Sequence, residues 1–173
     1  MDEIDDFPML WTWFEEDAIL ILEHFANNTE EEELSDYGFL LWGNSNYNYG
    51  QGTMGYTGSD IAWMSYVSRG WSDPHVMGYM ESHDEERLMY KNLTFGNATN
   101  PDYNVKYLPT ALSRMELAGA FFFTIPGPKM MWQFGELGYD ISIDNPCRVC
   151  NKPILWNYYD VALFRVFCER INA

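Results

Sequence analysis

Apolar positions along the chain alternate between short continuous runs and longer stretches of helical period. Ala18-Ile-Leu-Ile-Leu22 is an unbroken apolar run that stops at Glu23-His24. Five such residues, rich in isoleucine, predict a strand buried on both faces, the kind a parallel sheet requires. Phe39 to Trp42, Val76 to Met80 and Lys129 to Gln133 predict three more strands. Between the first two, Thr29-Glu30-Glu31-Glu32 reads as an N-cap and capping box that opens a short helix to about Tyr37. From 108 to 124, Leu108, Leu112, Met115, Phe122 and Phe123 keep a helical period, and Pro126 ends it. Leu155 to Ile171 predicts a second long amphipathic helix. At the start, Phe7, Leu10, Trp11 and Phe14 predict one face of an acidic helix within residues 1–17.

Two stretches keep no sustained apolar period. Residues 91–107 read as a polar loop, and residues 43–75 as a long Tyr/Asn/Gly-rich loop with one short helix around Ile61 to Tyr66. A loop this long inside a compact domain is usually functional. Its tyrosines, with Trp63 and Trp71, make a candidate ligand-facing wall; the plainer reading is that they pack on the domain beneath.

Strands alternating with helices argue an α/β fold with a parallel sheet of βα units, and 173 residues suit a single domain over 1–173. Three of the four predicted strands run into acid: Glu23, the Glu81–Asp84 segment, and Glu136. Carboxylates gathered at one sheet edge are costly unless paired or used.

Composition narrows the partners. A net charge of −16 argues against nucleic acid and against anionic membrane surfaces. Aromatics at 17% on an acidic chain suit a neutral polar ligand such as a sugar, although most of them are expected in the core. Cys147-Arg-Val-Cys150 has the spacing of half a zinc site, but no second such pair exists, so incidental cysteines or a labile disulfide are expected instead of a metal. Asn27, Asn92 and Asn97 each begin an N-x-Thr sequon, a pattern short enough to arise by chance. No apolar run approaches the ~20 residues of a membrane helix. The acidic start lacks the basic and apolar regions of an export signal.

The densest chemistry is Tyr79-Met80-Glu81-Ser82-His83-Asp84-Glu85-Glu86-Arg87, where an apolar run meets a His-Asp pair and then acid closed by arginine. Taken with Glu23 ending an earlier strand, Pro126-Gly-Pro and Gly135-Glu136 before the last helix, and Lys152-Pro-Ile-Leu-Trp156, this ordered set resembles the α-amylase family of retaining glycoside hydrolases. The resemblance covers nearly the whole chain. It implies a partial TIM-type (β/α) barrel, with the four strands standing as the fifth to eighth. It also implies Glu23 as general acid/base, Asp84 as transition-state stabiliser, His83 and Arg87 as substrate contacts, and Glu136 in a supporting place.

The implied ligand is an α-1,4-glucan such as starch or a maltooligosaccharide, in a parent enzyme that is secreted or periplasmic and can carry calcium. No cofactor or metal is implied for this chain. Glu23 and Asp84 stand 61 positions apart, which two βα units of ~30 residues fill.

The family's nucleophilic aspartate lies in an Arg-x-Asp motif, and no Arg-x-Asp occurs here. Its early Asp-His segment is absent too, and Leu22 stands where a glycine often precedes the acid. A whole barrel takes ~250 residues. The expectation is therefore a C-terminal half-barrel or truncated product, inactive alone and prone to self-association through open sheet edges. A non-catalytic carbohydrate-binding module and an unrelated α/β domain are the alternatives.

Overall fold

A computed structural model describes residues 18–160 of the chain. Its four strands, β1 (Ile21–Leu22), β2 (Leu40–Asn44), β3 (Val76–Tyr79) and β4 (Lys129–Met130), are all parallel and lie side by side in chain order. Helices α1 (Asn28–Asp36), α2 (Asn46–Met54), α3 (Tyr66–Arg69), α4 (Leu88–Phe95), α5 (Leu108–Thr124) and α6 (Asn157–Asp160) fill the connections and the end. The α/β class with a parallel sheet is therefore present. Parallel crossovers are right-handed, so strands that add in chain order place every connecting helix on one face.

The register shows how that face is built. Leu22 pairs with Leu41, Leu41 with Val76, and Gly43 with Gly78. Leu41 and Val76 are fully buried in a cluster with Phe39 and Trp71, packed by Leu34 of α1 and Tyr66 of α3. At the two glycines there is no room for a side chain, because the covering layer presses on Gly78 and the neighbouring strand's valine fills the space over Gly43. A Cβ at Gly78 would lie 2.5 Å from Met64 Cγ, and one at Gly43 would lie 2.5 Å from Val76 Cγ1. The larger core joins α2, α4 and α5 through Tyr49, Leu88, Met89, Leu112, Met115 and Phe122. The alternate residues Ile21, Trp42, Met77 and Met130 look the other way, into an open concavity of about 670 Å³.

Several expectations need correction. The first strand is not buried on both faces: Ile19 is 75% and Ile21 45% exposed, because β1 is an edge strand with helices on one side only. The cap of α1 is Asn27, whose side chain accepts from the backbone N–H of Thr29 and Glu30, so Thr29 is already inside the helix. The 43–75 stretch is not one loop, since α2 occupies Asn46–Met54. Its sequence, NYNYGQGTM, has poor helix propensity, and tertiary contacts hold it. Asn46 Nδ2 donates to the carbonyls of Met80 (2.8 Å) and Glu86 (3.0 Å), and Arg114 Nε donates to the Thr53 carbonyl at 3.3 Å. Likewise α4 enters the stretch read as a polar loop from 91. The 108–124 helix forms as expected. The acidic helix in 1–17, Cys168 and most of the 155–171 helix lie outside the described residues; within them the last helix begins at Asn157.

One buried ion pair ties α1 to α3. Arg69 Nη1 lies 2.6 Å from Glu31 Oε2, with the side chains 4% and 7% exposed. The guanidinium stacks on Trp63 (5.1 Å) and Trp71 (4.9 Å), and its Nε donates to the Trp63 carbonyl at 2.8 Å. Trp63 and Trp71 thus clamp an arginine in the helix layer, Trp71 buried and Trp63 half-exposed. Removing one partner leaves the other buried and unpaired, which costs about 3–5 kcal/mol. Urea denaturation of Glu31→Ala is expected to show a loss of that size, with Glu31→Leu/Arg69→Met recovering most of it; a loss under ~1 kcal/mol would contradict the pair's role.

Candidate functional site

All four strands point the same way, so their C-terminal ends open on one edge, and the loops there carry the titratable groups. The loop after β1 is fixed by α1. Glu31 Oε1 accepts the Ala26 N–H at 3.1 Å, His24 Nε2 lies 2.9 Å from Glu30 Oε1, and Asn27 caps the helix. Glu23, the first residue past β1, is held at the edge with its side chain 43% exposed.

The loop after β3 is anchored by its own acids. Glu81 is buried, and its Oε1 accepts the Leu88 N–H at 2.6 Å. Glu85 accepts from Asn44 Nδ2 at the end of β2 (2.5 Å), from Tyr79 Oη (3.4 Å) and from Ser82 Oγ. Glu86 accepts the N–H groups of Arg87 and Ile143, both at 2.9 Å, and the Ser142 hydroxyl at 2.7 Å. Arg87 Nη1 donates to the Ser82 carbonyl at 2.7 Å and closes the loop from beneath.

Of the four acids in this stretch, only Asp84 projects its carboxylate away from such anchors. Its side chain is 62% exposed, and its Oδ2 lies 3.6 Å from His83 Nε2. On the other side, His83 Nε2 lies 3.7 Å from Glu23 Oε1. Donor atoms of Glu23, His83 and Asp84 all fall within 4.8 Å of one another, the one such grouping among the described residues. Three exposed donors of this kind could touch a cation, but they equally suit hydroxyl recognition: two acceptors around one ring that donates or accepts.

The aromatic walls come from the strands. Trp42 on β2 meets His83 edge-on at 5.9 Å and Tyr79 at 5.1 Å, and Trp132, just past β4, lies 6.1 Å from His83. Arg87 lies under the face of Trp132 at 5.8 Å. Beyond His83 and Asp84 the edge continues into a cleft of about 550 Å³, walled by Arg87, Trp132, Tyr139 and the 148–154 segment.

Glu23, His83, Asp84 and Arg87 therefore come to one edge, as their strand-end positions predict. Glu136 does not join them; it lines a separate small cavity beside Glu81. Nothing local marks Trp42 or Trp132 beyond their place in predicted strands, and nothing marks Arg148, whose guanidinium donates to the Asp84 carbonyl. Arg148 sits on a loop crossed by a Cys147–Cys150 disulfide, so the two cysteines are paired with each other and not incidental.

Neither the protein-family models nor the curated proteins contain a match to this chain.

Burial gives Glu81 a distinct titration. Desolvation pushes its carboxyl from 4.5 up to about 7, opposed by the Leu88 N–H and the charges of Arg87 and Lys91. The folded state then keeps a proton that the unfolded chain releases at lower pH. The stabilisation is full below about 4.5 and fades as pH rises to about 7. At ~1.36 kcal/mol per unit, roughly 3 kcal/mol is lost across that window. Glu81→Gln is expected to raise the melting temperature at pH 8 and leave it nearly unchanged at pH 4.5; equal shifts at both pH values would contradict this.

Proposed function

We propose that this chain forms four strands of a (β/α)8 barrel of the α-amylase type and that its strand-end edge binds an α-glucan. The observation that carries the proposal is the convergence of Glu23 with His83 and Asp84. Residues 61 positions apart, from two strands with β2 between them, bring their donor atoms within 4.8 Å. The motif resemblance assigned these same residues to one sugar site, and Trp42 and Trp132 flank His83.

The winding of the sheet supports the barrel. A parallel sheet in chain order with all crossovers on one face closes on itself when eight strands are present, and its other face becomes a side-chain-filled interior. Ile21, Trp42, Met77 and Met130 line that other face here, and it is open.

In a complete barrel the roles divide as retaining glycosidases require. Glu23 protonates the glycosidic oxygen as the bond breaks, then takes a proton from the incoming water. Asp84 holds sugar hydroxyls and steadies the positive charge that develops at the anomeric carbon. His83, between the two carboxylates, donates a hydrogen bond to the same sugar, and Arg87 supports the loop from below. The covalent step needs a nucleophilic carboxylate on the opposite face of the anomeric carbon. No Arg-x-Asp occurs in these 173 residues to supply it. The chain by itself therefore binds without turning over.

Calorimetry with maltoheptaose is expected to give measurable heat and no reducing ends. Asp84→Asn is expected to weaken binding about tenfold or more, in line with ~1.5–3 kcal/mol for a hydrogen bond to a charged group. Hydrolysis by the purified chain would overturn the assignment of roles, and thermal silence would overturn the glycan reading.

The open inner face also implies association. With Ile19 75% and Ile21 45% exposed beside the concavity, sedimentation velocity is expected to show concentration-dependent self-association that Ile19→Ser/Ile21→Ser reduces. A sharp monomer at all concentrations would contradict it.

A further inference from the structure

The cleft beyond Asp84 differs in charge from the rest of the molecule. The chain carries −16, yet among the described residues this cleft is lined by Arg87, Arg148 and Lys152 against one carboxylate, Asp84. Among the described residues, two of these cations, Arg87 and Lys152, have no carboxylate within ion-pair distance. Lys152 Nζ is held by backbone carbonyls, those of Ile143, Asn145 (3.1 Å) and Cys147 (2.6 Å), which orient the ammonium without neutralising it. Arg148 reaches Asp144 at 3.7 Å and otherwise donates to the carbonyl of Asp84.

Arg87 is the strongest case. It is 3% exposed, and among the described residues no carboxylate lies within ion-pair distance of its guanidinium. One nitrogen donates to the Ser82 carbonyl at 2.7 Å, Trp132 covers one face at 5.8 Å, and Nε has no partner among the described residues. Buried charges are ordinarily paired, and breaking such a pair costs several kcal/mol. By contrast, Arg69, the other buried arginine among the described residues, has both a carboxylate and a bonded Nε. Among the described residues Arg87 thus lacks the ion-pair partner that Arg69 has: its charge acts on the buried Glu81, whose Oε1 is taken by the Leu88 N–H, and it lines an open cleft.

We propose that this cleft binds an oxyanion carried by a sugar: a phosphate, sulfate or carboxylate substituent on the unit that lies past Asp84. Arg87 is its principal cation, with Arg148 at the rim. For the sugar the proposal rests on the glycan reading of the neighbouring edge; for the anion it rests on the cleft alone. The substituted unit lies on the Trp132 side of His83, and its anionic group reaches inward to the guanidinium. Guanidinium is suited to this, since its planar fork matches oxyanion geometry.

The test is calorimetry on the whole chain with glucose, glucose 6-phosphate and inorganic phosphate, at constant ionic strength. Glucose 6-phosphate is expected to bind at least tenfold more tightly than either glucose or inorganic phosphate. Arg87→Gln is expected to abolish that preference. Arg148→Gln, at a side chain 53% exposed, is expected to weaken glucose 6-phosphate severalfold without changing the melting temperature. It therefore carries the test if Arg87→Gln fails to fold.

Equal affinity for glucose and glucose 6-phosphate would overturn the proposal, as would a preference that survives in both variants. Inorganic phosphate binding as tightly as the sugar phosphate would overturn the sugar-borne form and leave a site for a free anion. If phosphate binds while glucose, glucose 6-phosphate and maltoheptaose are all silent, the glycan reading fails with it. If maltoheptaose binds and the sugar phosphate shows no advantage, only the oxyanion proposal fails.

Discussion

The direction in which the sheet is wound governs this molecule. Four parallel strands added in chain order, each returned by a right-handed crossover, must put their helices on one face and their loops on one edge. From that constraint follow the exposed Ile21 on an apolar strand, the sheet glycine Gly78 pressed by Met64, and the concavity that Met77 and Met130 line. The meeting of Glu23 with His83-Asp84 also follows. Strands β1 and β3 are kept apart only by β2, so groups just past their ends lie across the width of one strand from each other.

Acidic groups at that edge divide into those that hold the loops and those that face outward. Glu31 both fixes the loop behind Glu23 and pairs with Arg69; Glu81, Glu85 and Glu86 are each spent on backbone or side-chain donors. What remains exposed is Glu23 and Asp84 on either side of His83. Cations divide in the same way. Arg69 is neutralised inside the helix layer, whereas Arg87 sits beneath the cleft with no carboxylate in ion-pair distance among the described residues. A strongly acidic chain thus presents a carboxylate pair and a positively charged recess side by side, which polarises the edge along its length.

Much of the fold was legible because its strongest signals are local. Apolar runs at 39–42 and 76–80 and the period over 108–124 correspond to β2, β3 and α5. The convergence of Glu23, His83 and Asp84 could be expected from strand-end position alone. What stayed hidden depends on partners distant in sequence. Helix α2 is poor in helix formers and is held by the carbonyls of Met80 and Glu86 and by Arg114, none of which a local pattern can register. The cap of α1 fell to Asn27 because its short side chain reaches two N–H groups, a choice the neighbouring Thr29 obscured. Trp42 and Trp132 read as ordinary strand aromatics, and only their approach to His83 distinguishes them from Trp71, buried against Arg69.

The proposed sugar site at the strand-end edge is built by Glu23, His83 and Asp84 between two tryptophans. Side-chain NMR during a maltoheptaose titration tests it most directly, by following the His83 ring and the indole N–H signals of the seven tryptophans. His83, Trp42 and Trp132 are expected to shift together along one binding curve while Trp63 and Trp71 stay still. Shifts confined to Trp63 and Trp71, or saturation that leaves His83 unmoved, would contradict it.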